Sequence, residues 1–234
     1  MVSIARDGEW GSDTLTRAVE QLRLYKAAEL LIDDQIAPKR AAVLICLFEA
    51  AGEIRVILTK RAISLSTHSG EVALPGGKRD ESDANDAATA VREAYEEIGL
   101  EPASIQVVAS LEPFLSKHFL RVTPVVAILP DAQSFVPCCN QAEVESLFDA
   151  PLEMFLRDEK HRSEQHNRCG GSYMLHYFEL EYQGNKYVIW GLTAAILIRA
   201  ASIVFQRPPE FEEFCPDFRS IHRYLVKQIA MKSS

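Results

Sequence analysis

The chain of 234 residues is 47% hydrophobic and carries 25 Lys and Arg against 33 Asp and Glu, a formal net charge of -8. That length suffices for one large domain with a proper core, or two small ones. The acidic balance excludes a general nucleic-acid binder, which needs Lys and Arg to replace counterions, and no polybasic run signals a membrane surface.

The N-terminus carries Asp7, Glu9 and Asp13 and lacks the apolar stretch of a secretory signal; an acid-poor, Arg-rich transit peptide also fits it badly. From Thr14 to Ile32, the residues Leu15, Val19, Leu22, Tyr25 and Leu30 recur at helical spacing. Ser12 or Asp13 can cap this helix, and Pro38 ends an arm spanning about residues 12–37. Two strand-like runs follow, Ala41 to Glu49 and Ile54 to Lys60, joined by Ala50-Ala51-Gly52 as a hairpin. Next come the polar loop "AISLSTHSG", a short strand "EVALP" and a break at Gly76-Gly77.

A helix is predicted from about Ala84 to Ile98, with Gly99 in the left-handed position that commonly ends helices. Strands are predicted over Ile105 to Leu111 and Leu120 to Leu129, with Pro124 marking an edge or a bulge in the second. Ala142 to Leu156 reads as a helix broken by Pro151, and "RDEKHRSEQHNRCGG" as a charged, poorly ordered loop. Met174 to Tyr182 and Lys186 to Trp190 form a second hairpin. Ile189 to Phe205 is apolar, but Arg199 interrupts it and it is too short for a membrane span, so it reads as a buried helix. Phe214 to Ala230 supplies a last helix, so closing helices occupy about residues 190–230. Strands and helices interleave without repeat or linker, which favours one mixed α/β domain over residues 1–234.

The chemistry concentrates in "REAYEEIGL", Arg92 to Leu100. At 100° per residue, Ala87, Val91, Ala94, Tyr95 and Ile98 share one face, while Glu93, Glu96 and Glu97 fall opposite, with Asp86 two turns earlier. Like charges at i, i+4 destabilise a helix, and acids near its C-terminus oppose the macrodipole. Such broken local rules mark functional sites. Divalent cations resolve the conflict, since Mg²⁺ takes carboxylates, waters and phosphate oxygens. The competing reading is a solvated acidic face with Arg92 paired to Glu96. Upstream, "LPGGKRD" brings two glycines that allow close approach to a ligand, and Lys78 and Arg79 that can meet phosphate.

The segment Gly77 to Leu100 resembles the Nudix box, G-x5-E-x7-R-E-U-x-E-E-x-G-U with U aliphatic: Arg92, Glu93, Glu96, Glu97, Gly99 and Leu100 match in order. Asp83 stands where the first Glu is expected, and the gap from there to Arg92 is one residue longer. That variant resembles the coenzyme A pyrophosphatase branch, plant members above all, whose second motif is similar to "LTKRAISLSTHSGEVALPGG", Leu58 to Gly77. Ser66, Glu71 and Leu74 depart from the Arg, Gln and Phe of many members.

The resemblance implies an α/β/α sandwich with a mixed sheet and a loop-helix-loop catalytic box. It implies a metal-dependent hydrolase of a nucleoside diphosphate linked to another group, coenzyme A first, giving 3′,5′-ADP and 4′-phosphopantetheine. NADH, ADP-ribose, an oxidised nucleotide or a prenyl diphosphate are the alternatives, and a non-catalytic Nudix-fold binding module is the third reading. Glu93, Glu96, Glu97 and the Gly77 carbonyl would hold Mg²⁺ or Mn²⁺, with Arg92 orienting the glutamates. Lys60, Arg61, His68, Gly76, Gly77 and Lys78 are the candidate substrate-binding residues. For Lys60 and Arg61 surface charge is the competing role, and for His68 loop packing. Glu143 or Glu145 is weighed as a general base against an ordinary helix N-terminal acid. His161 and His166 lack a matching ligand set.

The expected partner is a small-molecule substrate, with a homodimer left open. The thiols Cys46, Cys138, Cys139, Cys169 and Cys215 read as reduced. The terminal "MKSS" is unlike a peroxisomal signal, and with no secretory or transit signal read either, the expected compartment is cytoplasmic.

Overall fold

Runs of β-branched and aliphatic residues build the centre of the sheet. In the computed structural model, which describes residues 12–27, 37–65, 67–116, 120–168 and 171–213, strand β1 (Arg40–Ala50) and strand β2 (Glu53–Arg61) form the expected antiparallel hairpin. Their pairing covers Leu47–Ala50 against Glu53–Val56 and then the two strands part. The chain 72–78 fills the gap. Strand β3 (Val72–Ala73) pairs with β2, strand β4 (Gly76–Lys78) pairs with β1, and Leu44 N–H donates to the Pro75 carbonyl between them at 2.7 Å.

Helix α2 (Asp86–Ile98) follows, then strands β5 (Gln106–Ser110), β6 (Phe114–Leu115) and β7 (Arg121–Ile128). β7 lies parallel to β1 on one side and antiparallel to β5 on the other. The sheet is therefore mixed, an α/β architecture as expected. Pro124 was expected at an edge or bulge, yet it sits in this interior strand. Its carbonyl accepts from Leu111 N–H at 2.9 Å, so its missing donor faces the chain just beyond the end of β5. The register shift lies in β5, between Val107 and Ala109.

The helix expected over Ala142–Leu156 is instead strand β8 (Val144–Pro151), antiparallel to β2, followed by a 3-10 turn at Leu152–Leu156. Phe148 and Ala150 face one core and Val144 the other, so a strand covered on both faces carries apolar residues at spacings that also suit a helix. The charged loop expected next is strand β9 (His161–Arg168), which pairs with strand β10 (Gly171–Tyr182); strand β11 (Asn185–Trp190) completes this three-stranded sheet. Main-chain pairing with β10 orders a segment whose own side chains are almost all polar.

Helix α1 (Asp13–Leu24) is capped as expected, Ser12 Oγ accepting from Leu15 N–H at 3.1 Å. It ends at Leu24, where Tyr25 turns extended; Leu30 and Ile32 of the expected arm lie outside the described residues. Helix α3 (Gly191–Phe205) is buried along most of its length, as read from the sequence, with Ile189 and Trp190 belonging to β11. The expected helix Phe214–Ala230 lies outside the described residues. No helix among those described is long and apolar enough to cross a membrane.

Two cores flank the large sheet. Leu15, Leu22, Leu58, Phe155 and Leu197 belong to the one that packs α1, α3 and the small sheet against it. Ala90, Ala94, Ile98 and Leu100 pack α2 onto Leu44, Val125 and Ala127. Small alanines on α2 let the helix lie close to the sheet, and fully burying Ile98 and Leu100 contributes about 1.5–3 kcal/mol each.

Candidate active site

α2 starts at Asn85, whose Oδ1 accepts from Ala88 N–H at 2.9 Å, and stops at Gly99, which adopts φ +70°. The C-terminal turn is thereby fixed against two elements. The first is β4. Gly76 N–H donates to Glu97 Oε2 at 3.2 Å. Gly77 stands so near the helix that a Cβ there would overlap the Glu93 carboxylate. The second is the chain entering β8, where Asn140 N–H donates to the Glu97 carbonyl at 2.9 Å and Cys138 N–H to that of Ile98 at 3.0 Å.

The three glutamates differ in exposure. The Glu96 side chain is 52% exposed, Glu93 16% and Glu97 4%. The burial of Glu97 corrects its assignment to the face opposite the core. Glu97 lies two turns after the fully buried Ala90, on nearly the same line of the helix, and Tyr95, expected in the core, is exposed. Burial pushes the Glu97 carboxyl up to about 7; Glu93 and Glu143 add to this, while Gly76 N–H and Arg61 oppose it. Burial also raises Glu93, against the pull of Arg92.

Arg92 ties the box together. Its Nε and one terminal nitrogen fork onto Asp83 at 2.9 Å each, and the same nitrogen reaches the Lys78 carbonyl at 3.2 Å. The other terminal nitrogen meets Glu93 at 3.1 Å and Glu96 at 2.9 Å. The fork holds the Asp83 carboxyl well below the ordinary carboxylate range and raises the guanidinium in turn. Asp83, not among the expected site residues, is the anchor of Arg92; its place at the first acidic position of the box was the available signal. We expect Arg92→Lys, which keeps the charge and loses the fork, to lower kcat about 10- to 100-fold with KM little changed, as read by steady-state kinetics on the metal-loaded enzyme.

The remaining candidates divide. Arg61 comes into the site, a terminal nitrogen 3.7 Å from Glu97 Oε1. Lys60 pairs instead with Glu145 at 2.6 Å. His68 is exposed and meets Glu71 at 2.7 Å in the loop before β3. The Lys78 side chain is exposed, and its carbonyl serves Arg92. Glu143 lies within electrostatic reach of both Glu93 and Glu97 and accepts from Asn140 Nδ2 at 3.1 Å. Ser66 lies outside the described residues.

Among the described residues no three acidic, His or Cys side chains stand together as a metal cluster; Arg92 pairs with Glu93 and Glu96, and Arg61 faces Glu97. In chemical kind the donors suit a hard divalent cation: carboxylates of one helix, with Glu93 and Glu97 set against a backbone kept bare by glycine.

The NUDIX domain family matches residues 38–169, which contain this site. The chain belongs to the Nudix hydrolase family. It is 61% identical over 187 residues to "Nudix hydrolase 15, mitochondrial" of Arabidopsis thaliana, covering 80% of this chain and 66% of that protein. It is 49% identical to "Nudix hydrolase 22, chloroplastic" of the same plant, over 92% of this chain and 81% of that one. It is 35% identical to "Peroxisomal coenzyme A diphosphatase NUDT7" of Mus musculus, over 76% of this chain and 75% of that one. Nudix hydrolases act on small molecules with divalent metals. The cytoplasmic expectation is overturned by the two plant names, which are mitochondrial and chloroplastic; it had rested on missing signals alone.

Proposed function

We propose that this Nudix hydrolase cleaves the diphosphate of coenzyme A or its acyl forms, giving 3′,5′-ADP and 4′-phosphopantetheine or its acyl form. One observation carries the reading. The Leu58–Gly77 segment that resembles the coenzyme A motif runs from β2 to β4 and ends on the glutamates, with Arg61 facing Glu97 and Gly76 N–H bonded to it. The mouse relative's name supports the same substrate. The plant relatives support an organellar compartment, and one catalytic domain spanning the chain is part of this reading.

Glu93, Glu96 and Glu97, with the Gly77 carbonyl, would hold Mg²⁺ or Mn²⁺. When bound, the cation neutralises diphosphate oxygens and lowers the pKa of a coordinated water. Arg92 keeps two of the glutamates aimed at one place through the Asp83 fork. The Arg61 guanidinium presents donors to non-bridging phosphate oxygens. Glu143, beside Glu93 and Glu97, takes the proton of the attacking water. The P–O–P bond breaks, water oxygen joins one phosphorus, and the bridging oxygen leaves with the other.

The test is product analysis by mass spectrometry after incubation with coenzyme A and Mg²⁺, beside NADH, ADP-ribose, an oxidised nucleotide and a prenyl diphosphate. The expected outcome is 3′,5′-ADP and 4′-phosphopantetheine at the highest kcat/KM of the panel. Faster cleavage of another diphosphate would overturn the substrate reading and leave the family unchanged. No cleavage of any member would revive the binding-module reading.

A further inference from the structure

The two arginines of the site are held very differently. Arg92 has each of its three nitrogens engaged, twice in the Asp83 fork. Arg61 does not. Its closest approach to Glu97, 3.7 Å, is an ion contact beyond hydrogen-bond length, and its Nε is buried without a hydrogen-bond partner. A buried guanidinium donor left unmade is costly, and a sequence that keeps one has a use for it.

The main chain aims this side chain on purpose. Arg61 N–H donates to the Glu71 carbonyl at 3.0 Å and its own carbonyl accepts from Gly70 N–H at 3.2 Å, so its backbone is clamped to the loop before β3. On the other edge of β2 the register with β8 slips between Lys60, opposite Ser146, and Arg61, opposite Val144. Such a bulge re-aims side chains beside active sites. Here the extra residue is Glu145 of β8, which meets Lys60, while Arg61, the next residue of β2, points to the opposite face and reaches buried Glu97. The backbone is fixed, and the long side chain is the part left to move.

Without a cation, Glu97 is a buried carboxylate near Glu93 and Glu143, an arrangement that requires positive charge. We propose that Arg61 stands in for the metal: its guanidinium neutralises Glu97 in the metal-free site, yields the carboxylate to the incoming divalent ion, and turns its unused donors to the substrate's diphosphate. The inference rests on the Nudix metal-site reading and is independent of which diphosphate is the substrate. It makes Arg61 a competitor of the cation and a partner of the phosphates. A purely structural arginine would be neither.

The experiment titrates Mn²⁺ into metal-free protein by calorimetry, without substrate, for the parent, Arg61→Gln and Arg61→Lys. A second titration adds methylenediphosphonate, a diphosphate that cannot be hydrolysed, to each Mn²⁺-saturated protein. Removing a competing charge about 4 Å away should tighten Mn²⁺ binding about five- to tenfold in Arg61→Gln. Arg61→Lys keeps the charge and should bind Mn²⁺ as the parent does. Both variants should bind the diphosphonate about tenfold more weakly, since neither has the fork. Unchanged or weaker Mn²⁺ binding in Arg61→Gln overturns the competition. Unchanged diphosphonate affinity in Arg61→Lys overturns the hand-over, and that variant decides alone should Arg61→Gln fail to fold. Failure of coenzyme A cleavage, with these titrations as expected, would count against the substrate reading alone.

Discussion

Replacing Glu97 with glutamine is expected to reduce kcat about 100-fold or more while leaving the metal-free protein as stable as its parent, or more so, above pH 7. Each half follows from one fact, that the Glu97 side chain is 4% exposed. A buried carboxylate ligand supplies charge that an amide cannot, and losing about 3 kcal/mol of transition-state stabilisation is two powers of ten in rate. The same charge is costly when no cation is present. The Glu97 carboxyl is pushed up to about 7 from an ordinary 4.5, a penalty on the order of 3 kcal/mol that the lost Arg61 attraction reduces in the variant. Because the folded-state value is raised, the penalty is absent below about pH 4.5 and grows until about pH 7. Glutamine keeps an acceptor for Gly76 N–H and carries no charge. Thermal unfolding in chelator should therefore show the variant's advantage at pH 8 and its disappearance near pH 4.5, and steady-state kinetics with Mg²⁺ should show the loss of rate. A variant less stable than the parent at pH 8 would mean that the carboxylate is not under electrostatic strain.

The adjacent glycines should fail in opposite ways. Gly76 adopts φ +154°, and a Cβ there would overlap the Ala42 carbonyl oxygen and stand 2.6 Å from Val43 Cα. Both are backbone of the central strand and cannot yield. Gly76→Ala should cost about 3 kcal/mol, or a fall in Tm of about 6–12 °C for a chain of this size. The three atoms nearest a Cβ on Gly77 all belong to the end of the Glu93 side chain, which can rotate away. Gly77→Ala should thus keep its Tm within about 3 °C and lose activity about 100-fold, because a misplacement of about 1 Å costs that much. Differential scanning calorimetry beside initial rates separates the two. Equal Tm losses in both would show that β4 tolerates neither and that Gly77 has no special relation to the glutamate.

What was legible in the sequence was local. The hairpin β1–β2, the capped helix α2 and its glycine stop are written in neighbouring residues, and the box motif named the chemistry. What was hidden depends on contacts between distant segments. β8 was read as a helix because Val144, Leu147, Phe148 and Leu152 satisfy helical spacing as well as a strand covered on both faces. β9 looked like a solvated loop because its stability comes from main-chain pairing with β10. Lys60 and Arg61 looked equivalent, but consecutive strand residues point to opposite faces, and the acid each one meets, Glu145 or Glu97, comes from a segment distant in sequence. The helical wheel grouped Glu97 with its acidic neighbours although it lies two turns after buried Ala90, and the packing of β4 on that side makes it the buried one of the three.

The parallel pairing of β1 with β7 has a kinetic consequence. Arg40 opposite Arg121 closes a loop that contains the whole box, and a parallel pair cannot zip from a tight turn. Loop closure must be completed before α2 has both strands to dock on, which places the assembly of the site late and makes for slow refolding. A cation held by those carboxylates then binds after the rate-limiting step. It should leave the folding rate almost untouched and lengthen the lifetime of the folded enzyme by slowing its unfolding.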